Sequence, residues 1–429
     1  DIVLSHGSIL PFYHDKVYYS ESEGLMERKL LHTPEGVRDL YGTECENKLL
    51  LQNRMHQVLK LYGYRDIQMP SFEFFDIFNK ERGSVASKNM FKFFDREGNT
   101  LVLRPDMTPQ VARCAAKYFE NEELPIKLCY LGNTFVNKKS YQGRLKETTQ
   151  LGCELIGDSS VTADAEMLAM MIEALLTAGL TEFQVEVGQT AYFKGLVNEA
   201  GIDSDTEDEL RLLIQKKNFF GVEELAREYG LSDSVREALF MLPQLFGSAA
   251  KLDEAKSYVH NDESLGAIEH LKKVYELLKV YGYEKYVSFD LGMLSELTYY
   301  TGIIFRAVTY EVGEPVANGG RYDELICQYG KPAASIGFSV NVDFVLLALN
   351  RQKITLPASR LPLMILYHEG EASEAIKLAT HYRKSGISVG LFPFETGRTK
   401  QDYEELALSG GYEAVIVADR AALEKAGLV

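Results

Sequence analysis

Carboxylates, hydroxyls and amides recur in this 429-residue sequence at spacings that could hold a small polar ligand. Leu103-Arg-Pro-Asp-Met-Thr-Pro-Gln110 follows a strand-like run and could present Asp106 and Thr108 to a ligand amine. An ionised carboxylate beside a hydroxyl acceptor suits an ammonium. The same two residues could instead cap the helix that follows. Gln142-Gly-Arg144 between two strands could hold an anion, and Thr149-Gln-Leu-Gly-Cys-Glu-Leu155 comes directly after it. Gln150, Gly152 and Glu154 are spaced by two, so they share one face of a strand, either enclosed or solvated. In Leu297-Thr-Tyr-Tyr-Thr-Gly-Ile-Ile-Phe305, one of the adjacent tyrosines, Tyr299 and Tyr300, could place its hydroxyl in a pocket and the other its ring in a core. Asn318-Gly-Gly-Arg-Tyr-Asp323 offers a glycine pair for a tight turn or a close backbone approach.

Other chemistries find no support. No two of the eight histidines have metal-ligand spacing with a third ligand nearby, and no cofactor is expected. Neither GxSxG nor a Walker A sequence occurs. The five cysteines include no CxxC, and an odd count does not suit a disulfide framework, so a reducing, cytoplasmic setting is expected. A net charge of -16 disfavours nonspecific nucleic-acid binding. No apolar run approaches the roughly 20 residues of a membrane helix.

The elements that must position these residues follow from periodicity. Residues 1–25 receive no function, and Met26-Glu-Arg-Lys reads as a plausible native start. A helix is predicted over Cys45 to Leu61, and a strand from Tyr64 that stops at Pro70. Strands are predicted at Phe91–Phe94, Thr100–Leu103, Lys127–Phe135, Thr148–Ile156 and Glu182–Gly188, with a helix over Val161–Ala178. An almost wholly helical block, about 204–284, separates these from further strands at Tyr286–Leu291, Tyr300–Tyr310 and Ala334–Val340. The expectation is an α+β core over 26–350, built on a largely antiparallel sheet and interrupted by a helical insertion. A βαβαβ pattern over 360–429 predicts a small α/β domain with a parallel sheet and no GxGxxG loop.

The order of these four segments resembles the class II aminoacyl-tRNA synthetases, specifically histidyl-tRNA synthetase, over roughly residues 30 to 350. The helix and strand ending at Pro70 resemble motif 1. Gly132-Asn-Thr-Phe-Val through Gly157 resembles motif 2. Leu297-Thr-Tyr-Tyr300 is similar to the histidine-binding signature, and Gly319-Gly-Arg-Tyr-Asp323 through Phe338 to motif 3. The resemblance implies that Asp106, Thr108, Gln150, Glu154, Tyr299 and Tyr300 fall at positions that hold histidine, with Asp106 shorter than the family's glutamate. Where the synthetase carries arginines for the α-phosphate, the histidine carboxylate and the adenine, this chain has Val136, Ser295 and Phe344. Lys138 replaces an ATP-site glutamate.

A pocket kept for histidine without the ATP machinery resembles the ATP phosphoribosyltransferase regulatory subunits, paralogues of the synthetase. That resemblance implies a non-catalytic protein that assembles with a short-form catalytic subunit into a hetero-octamer and transmits feedback inhibition by histidine. It further implies a homodimer through the class II core, a shortened anticodon-binding-like C-terminal unit, and no tRNA partner. The segment Asn137 to Lys146 is the expected moving element.

Overall fold

The computed structural model describes residues 31–78, 85–122, 125–138, 145–294, 300–357 and 361–428. They form two compact units that divide after Thr355. The first runs α1 (Gly42–Leu61), β1 (Arg65–Asp66), β2 (Phe72–Phe74), β3 (Lys92–Phe94), β4 (Thr100–Leu103), α2 (Thr108–Tyr118), β5 (Ile126–Phe135), β6 (Glu147–Ile156), α3 (Val161–Ala178) and β7 (Gln184–Gln189). It continues through α4 (Thr190–Ala200), α5 (Ser204–Gln215), α6 (Phe219–Glu228), α7 (Asp233–Met241), β8 (Phe246–Gly247), α8 (Ala250–Lys256) and α9 (Asp262–Tyr281). β9 (Val287–Asp290), β10 (Ile303–Val308), β11 (Ala317–Arg321), β12 (Ser335–Asn341) and α10 (Val342–Arg351) complete it.

One nine-stranded sheet carries the unit, in the order β1-β5-β6-β12-β11-β10-β7-β9-β8. The β1–β5 and β7–β9 pairs are parallel and the remaining pairs antiparallel. The α+β architecture expected from the sequence is present. Several details differ. The segment 64–70 is in register with β5 only at Arg65 and Asp66, with Ile67 N–H still donating to the Cys129 carbonyl at 2.9 Å; beyond it the Met69 and Pro70 carbonyls accept from the Arg104 and Gln110 side chains instead. β2, β4 and β3 form a separate three-stranded antiparallel sheet rather than extending the large one. The glycine pair Gly319-Gly320, read as a turn or a close approach, lies inside β11 at the middle of the large sheet. Close approach is the physical reason, since a Cβ on Gly319 would strike the Phe305 ring and one on Gly320 would lie 2.7 Å from Tyr300.

α3 lies against the large sheet at β12. Its Ser160 hydroxyl caps Ala163 N–H at 3.1 Å, and Gly179 ends it at φ +99°. It packs against α1, α9 and β12, so it is apolar nearly all round, with Met167, Leu168, Met170, Met171, Ile172 and Leu175 fully buried. Each such side chain contributes roughly 1.5–3 kcal/mol. The acidic run after Asp203 starts α5 as its composition implies, with Asp203 accepting from the N–H groups of Asp205 and Thr206.

The single charge pair buried at this packing is Asp164 on α3 with Arg321 at the end of β11, among the described ion pairs. Arg321 Nε donates to Asp164 Oδ1 at 3.1 Å, and its other nitrogens reach the same carboxylate, the Asp158 carbonyl and Asp323. His270 on α9 meets the other Asp164 oxygen at 2.6 Å. The pair thus fixes motif-like residues 319–323 against α3 and α9, and its arginine is structural rather than free for a ligand.

The second unit runs β13 (Leu363–Tyr367), α11 (Ala372–Lys384), β14 (Val389–Pro393), α12 (Lys400–Gly410), β15 (Ala414–Val417) and α13 (Arg420–Lys425). Its three strands are all parallel, in the order β14-β13-β15. Alternate β13 residues feed separate cores on its two faces: Ile365 with Leu378 and Leu423, and Met364 and Leu366 with Tyr403.

Arg321→Ala leaves Asp164 buried without its cation and should destabilise the first unit by about 3–5 kcal/mol. Arg236→Ala, which breaks an exposed pair with Asp233, should cost under about 1 kcal/mol. Urea denaturation of both variants checks the contrast, and equal costs would contradict it.

Candidate functional site

The floor of the site lies on a row of register partners across six strands, Leu128, Glu154, Gly337, Gly320, Ile304 and Gly188, of which Glu154, Gly337 and Ile304 line the site itself. Glycine fills three of those positions, which removes side chains from one sheet face and hollows it. Above this floor lies a cleft of about 1220 Å³. Asp106, Thr108, Gln150, Glu154 and Tyr300 all line it. Gly319 and Tyr322 line it as well, so four separate sequence segments are brought together. Tyr299, Ser295 and Arg144 lie outside the described residues, as does 139–144 of the expected moving segment.

Glu154 is 1% exposed and sits opposite Gly337. A Cβ at Gly337 would collide with Glu154 Oε2, so the carboxyl occupies space that only glycine leaves. Three hydroxyls donate to it: Thr108 Oγ1 to Oε1 at 2.8 Å, Tyr130 to Oε1 at 3.1 Å and Tyr322 to Oε2 at 2.5 Å. Tyr130 needs its own glycine, because a Cβ on Gly152 would come within 2.5 Å of the Tyr130 hydroxyl. Burial pushes the Glu154 carboxyl up to about 8, the three hydroxyl donors oppose that rise, and the negative charge of Asp106 adds to it.

Thr108 opens α2, yet its hydroxyl is spent on Glu154 and the helix has no side-chain cap. The capping alternative for Thr108 therefore does not hold. Asp106 is 8% exposed and accepts from the neighbouring Met107 N–H at 2.7 Å, also not a helix cap. Gln150, on the same strand face as Glu154, has a buried Oε1 with no hydrogen-bond partner among the described residues. A buried acceptor in a cleft wall invites a ligand N–H. Tyr300 is half-buried and packs across Gly320.

Tyr130 and Tyr322 belong to the site although neither is among the candidates that the sequence offers. Tyr322 stood beside Gly319-Gly-Arg321 and could have been suspected from that position. Tyr130 gave only the weaker signal of a tyrosine inside a strand, because its pairing opposite Gly152 is a matter of register. At the far end of the same cleft stand Val136, Lys138 and Phe344. Val136 and Phe344 offer an anionic group no charge, and Arg306 nearby is engaged by Glu186 at 2.6 Å.

The family model for histidyl-tRNA synthetase matches residues 36–345. The ATP phosphoribosyltransferase regulatory subunit of Acetivibrio thermocellus is 39% identical over 90% of this chain and 93% of its own length. The solved structure of an ATP phosphoribosyltransferase regulatory subunit/histidyl-tRNA synthetase from Bacillus halodurans superposes with a TM-score of 0.81 at 34% identity, covering 90% of this chain and 98% of that one. Histidyl-tRNA synthetase from a Nostoc species shares the fold, with a TM-score of 0.75 at 19% identity over 91% of this chain and 93% of that one. The chain belongs to the ATP phosphoribosyltransferase regulatory subunits, which share the class II fold of histidyl-tRNA synthetase. Among the described residues no helix is long and apolar enough to cross a membrane.

The raised Glu154 carboxyl makes stability depend on pH. Unfolded, the group titrates near 4.5; folded, near 8. Between those values the folded state holds the extra proton, so stability is full below about 4.5 and is lost as pH rises to about 8. Glu154→Gln removes the titration. The stability of the ligand-free parent relative to this variant should fall by several kcal/mol, on the order given by ~1.4 kcal/mol per pKa unit, between pH 4.5 and 8. Thermal melts of both proteins across that range check it; parallel pH profiles would contradict it.

Proposed function

We propose that this chain is a non-catalytic regulatory subunit in histidine biosynthesis that binds free histidine in the cleft and transmits feedback inhibition to a short-form ATP phosphoribosyltransferase catalytic subunit. The observation that carries the reading is the buried Glu154 carboxyl, ringed by three hydroxyls, on the same strand face as the Gln150 oxygen, which has no hydrogen-bond partner among the described residues. An imidazole donates one N–H to Glu154, with the Tyr322 and Tyr130 hydroxyls holding the carboxyl in place. The ligand's ammonium faces Asp106 and the Gln150 oxygen. Thr108 acts through Glu154 rather than on the ligand. Tyr300 supplies the wall at Gly320, and Tyr299 stays in the set by family resemblance.

Adenylate formation is not part of the proposal. Transfer at a phosphoryl centre needs fixed positive charge, and removing one preorganised donor typically costs ~10²–10³ in rate. Val136 and Phe344 occupy two of the places where the synthetase carries such arginines, and Ser295 the third. Regulation follows if histidine binds two states of the assembly unequally. Moving an equilibrium from 1:99 to 99:1 takes ~5.5 kcal/mol, which several coupled sites supply more readily than one. A homodimer through the class II core, built with the catalytic subunit into a cytoplasmic hetero-octamer without tRNA, would give those copies.

Calorimetry with free histidine tests the pocket. Glu154→Ala strands the three hydroxyls and should weaken binding roughly tenfold or more, since a buried polar contact is worth ~1–3 kcal/mol. An unchanged affinity would place the ligand elsewhere. With the catalytic subunit present, Asp106→Ala or Glu154→Ala should leave the complex assembled and active but blunt its inhibition by histidine. Full histidine sensitivity in both variants would remove this cleft as the sensor.

A further inference from the structure

A second cluster of chemistry-bearing side chains lies away from the cleft. Cys129 alternates with Tyr130 along β5, so it points to the sheet face opposite the Glu154 pocket. Asp66 on β1 is its register partner in the parallel β1–β5 pair. His56, on α1, reaches over both. The three donor atoms, His56 Nε2, Asp66 Oδ1 and Cys129 Sγ, all lie within 4.8 Å of one another. Sequence spacing gave no hint of this, because each residue comes from a different element and the strand pairing joins two of them.

We propose that His56, Asp66 and Cys129 form a binding site for a thiophilic divalent transition cation of the Zn²⁺ or Co²⁺ class, which clips α1 to the β1 edge of the large sheet. Zn–S bonds of about 2.3 Å and Zn–N or Zn–O bonds of about 2.0–2.2 Å set tetrahedral edges of about 3.5–3.7 Å to sulfur and about 3.3–3.5 Å between nitrogen and oxygen. Cys129 Sγ stands 3.4 Å from Asp66 Oδ1 and 3.9 Å from His56 Nε2, close to those edges. His56 Nε2 and Asp66 Oδ1 are 2.5 Å apart, a hydrogen bond that the ion would replace by opening the pair under an ångström. Both side chains have room to do so, at 23% and 53% exposure. The exposed Asp66 side leaves a fourth position for water.

Donor chemistry selects the ion. One thiolate, one imidazole and one carboxylate suit borderline-soft cations and not Mg²⁺ or Ca²⁺. The thiol is buried beneath the other two groups, and its proton leaves to solvent when the ion binds. Lys60 sits four residues after His56 and holds the other Asp66 oxygen at 2.8 Å. Its ammonium balances Asp66 while the site is empty and opposes the incoming ion. The arrangement is not a nucleophilic triad, since Asp66 and Cys129 both face the same histidine nitrogen.

The test is a titration of the full chain, stripped with chelator, with Co²⁺ alone. One equivalent should bind with a thiolate-to-cobalt charge-transfer band and the intense visible bands of tetrahedral cobalt. Zn²⁺ should displace it and Mg²⁺ should not. Cys129→Ser and His56→Ala should erase the band and weaken binding by ~100-fold or more, beyond the 10–100-fold of an outer-shell loss. Cys327→Ser, which removes an exposed thiol, should leave the band unchanged. Lys60→Met, a surface change that keeps all three ligands, should tighten binding roughly tenfold. Absence of the charge-transfer band in the parent protein overturns the proposal. So does a band that persists in Cys129→Ser or disappears in Cys327→Ser.

Discussion

The cleft depends on one carboxyl group placed where a neighbouring side chain would otherwise be. Glu154 fits only because its partner across β6 and β12 is Gly337. The same device recurs one row along, where Tyr130 takes the space above Gly152. Glycine in a central strand loses packing and chain entropy. The sheet bears that cost at several positions on one face, and what it gains is a concave floor with an acid at its deepest point. An acid so placed cannot be left alone. Thr108 arrives from the start of α2, Tyr130 from β5 and Tyr322 from just beyond β11. Three elements are therefore oriented by a single carboxyl, and the position of Tyr322 is in turn held by Arg321 on Asp164.

This chain of dependence explains what sequence could and could not reveal. Alternation within 148–156 was enough to put Gln150, Gly152 and Glu154 on one face, since a strand's period does not depend on its neighbours. Asp106 and Thr108 were visible as candidates, but whether Thr108 caps a helix or bonds a carboxyl is decided by a residue 46 positions away. Tyr130 was illegible for the same reason. Its role is set by the glycine it faces, and that pairing is a fact of register. Gly319-Gly320 read locally as either a turn or a close approach, and only the strand pairing decides for the second: the pair clears room for Phe305 and Tyr300 in a central strand. Small sheets of short strands are likewise hard to assign: β3 and β4 were readable as strands without any sign that they leave the main sheet, and the three residues of β2 are too few to show a period.

The two ends of the cleft carry different chemistry. At one end an enclosed acid, hydroxyls and an amide oxygen without a hydrogen-bond partner among the described residues form a set suited to a small amphoteric ligand with an imidazole or amine. At the other, Val136 and Phe344 are apolar, and Lys138 stands on a chain segment that leaves the described residues directly afterwards. A cleft of about 1220 Å³ far exceeds what one amino acid fills, so the volume is a property of the fold and does not itself identify a second substrate.

The most direct measurement is a crystal structure of the chain grown with saturating free histidine. The account predicts one histidine per chain in the cleft. An imidazole nitrogen should lie at normal hydrogen-bond distance, about 2.7–3.2 Å, from a Glu154 oxygen, with the ammonium between Asp106 and Gln150. An empty Glu154 pocket, with histidine bound elsewhere or not at all, would contradict it.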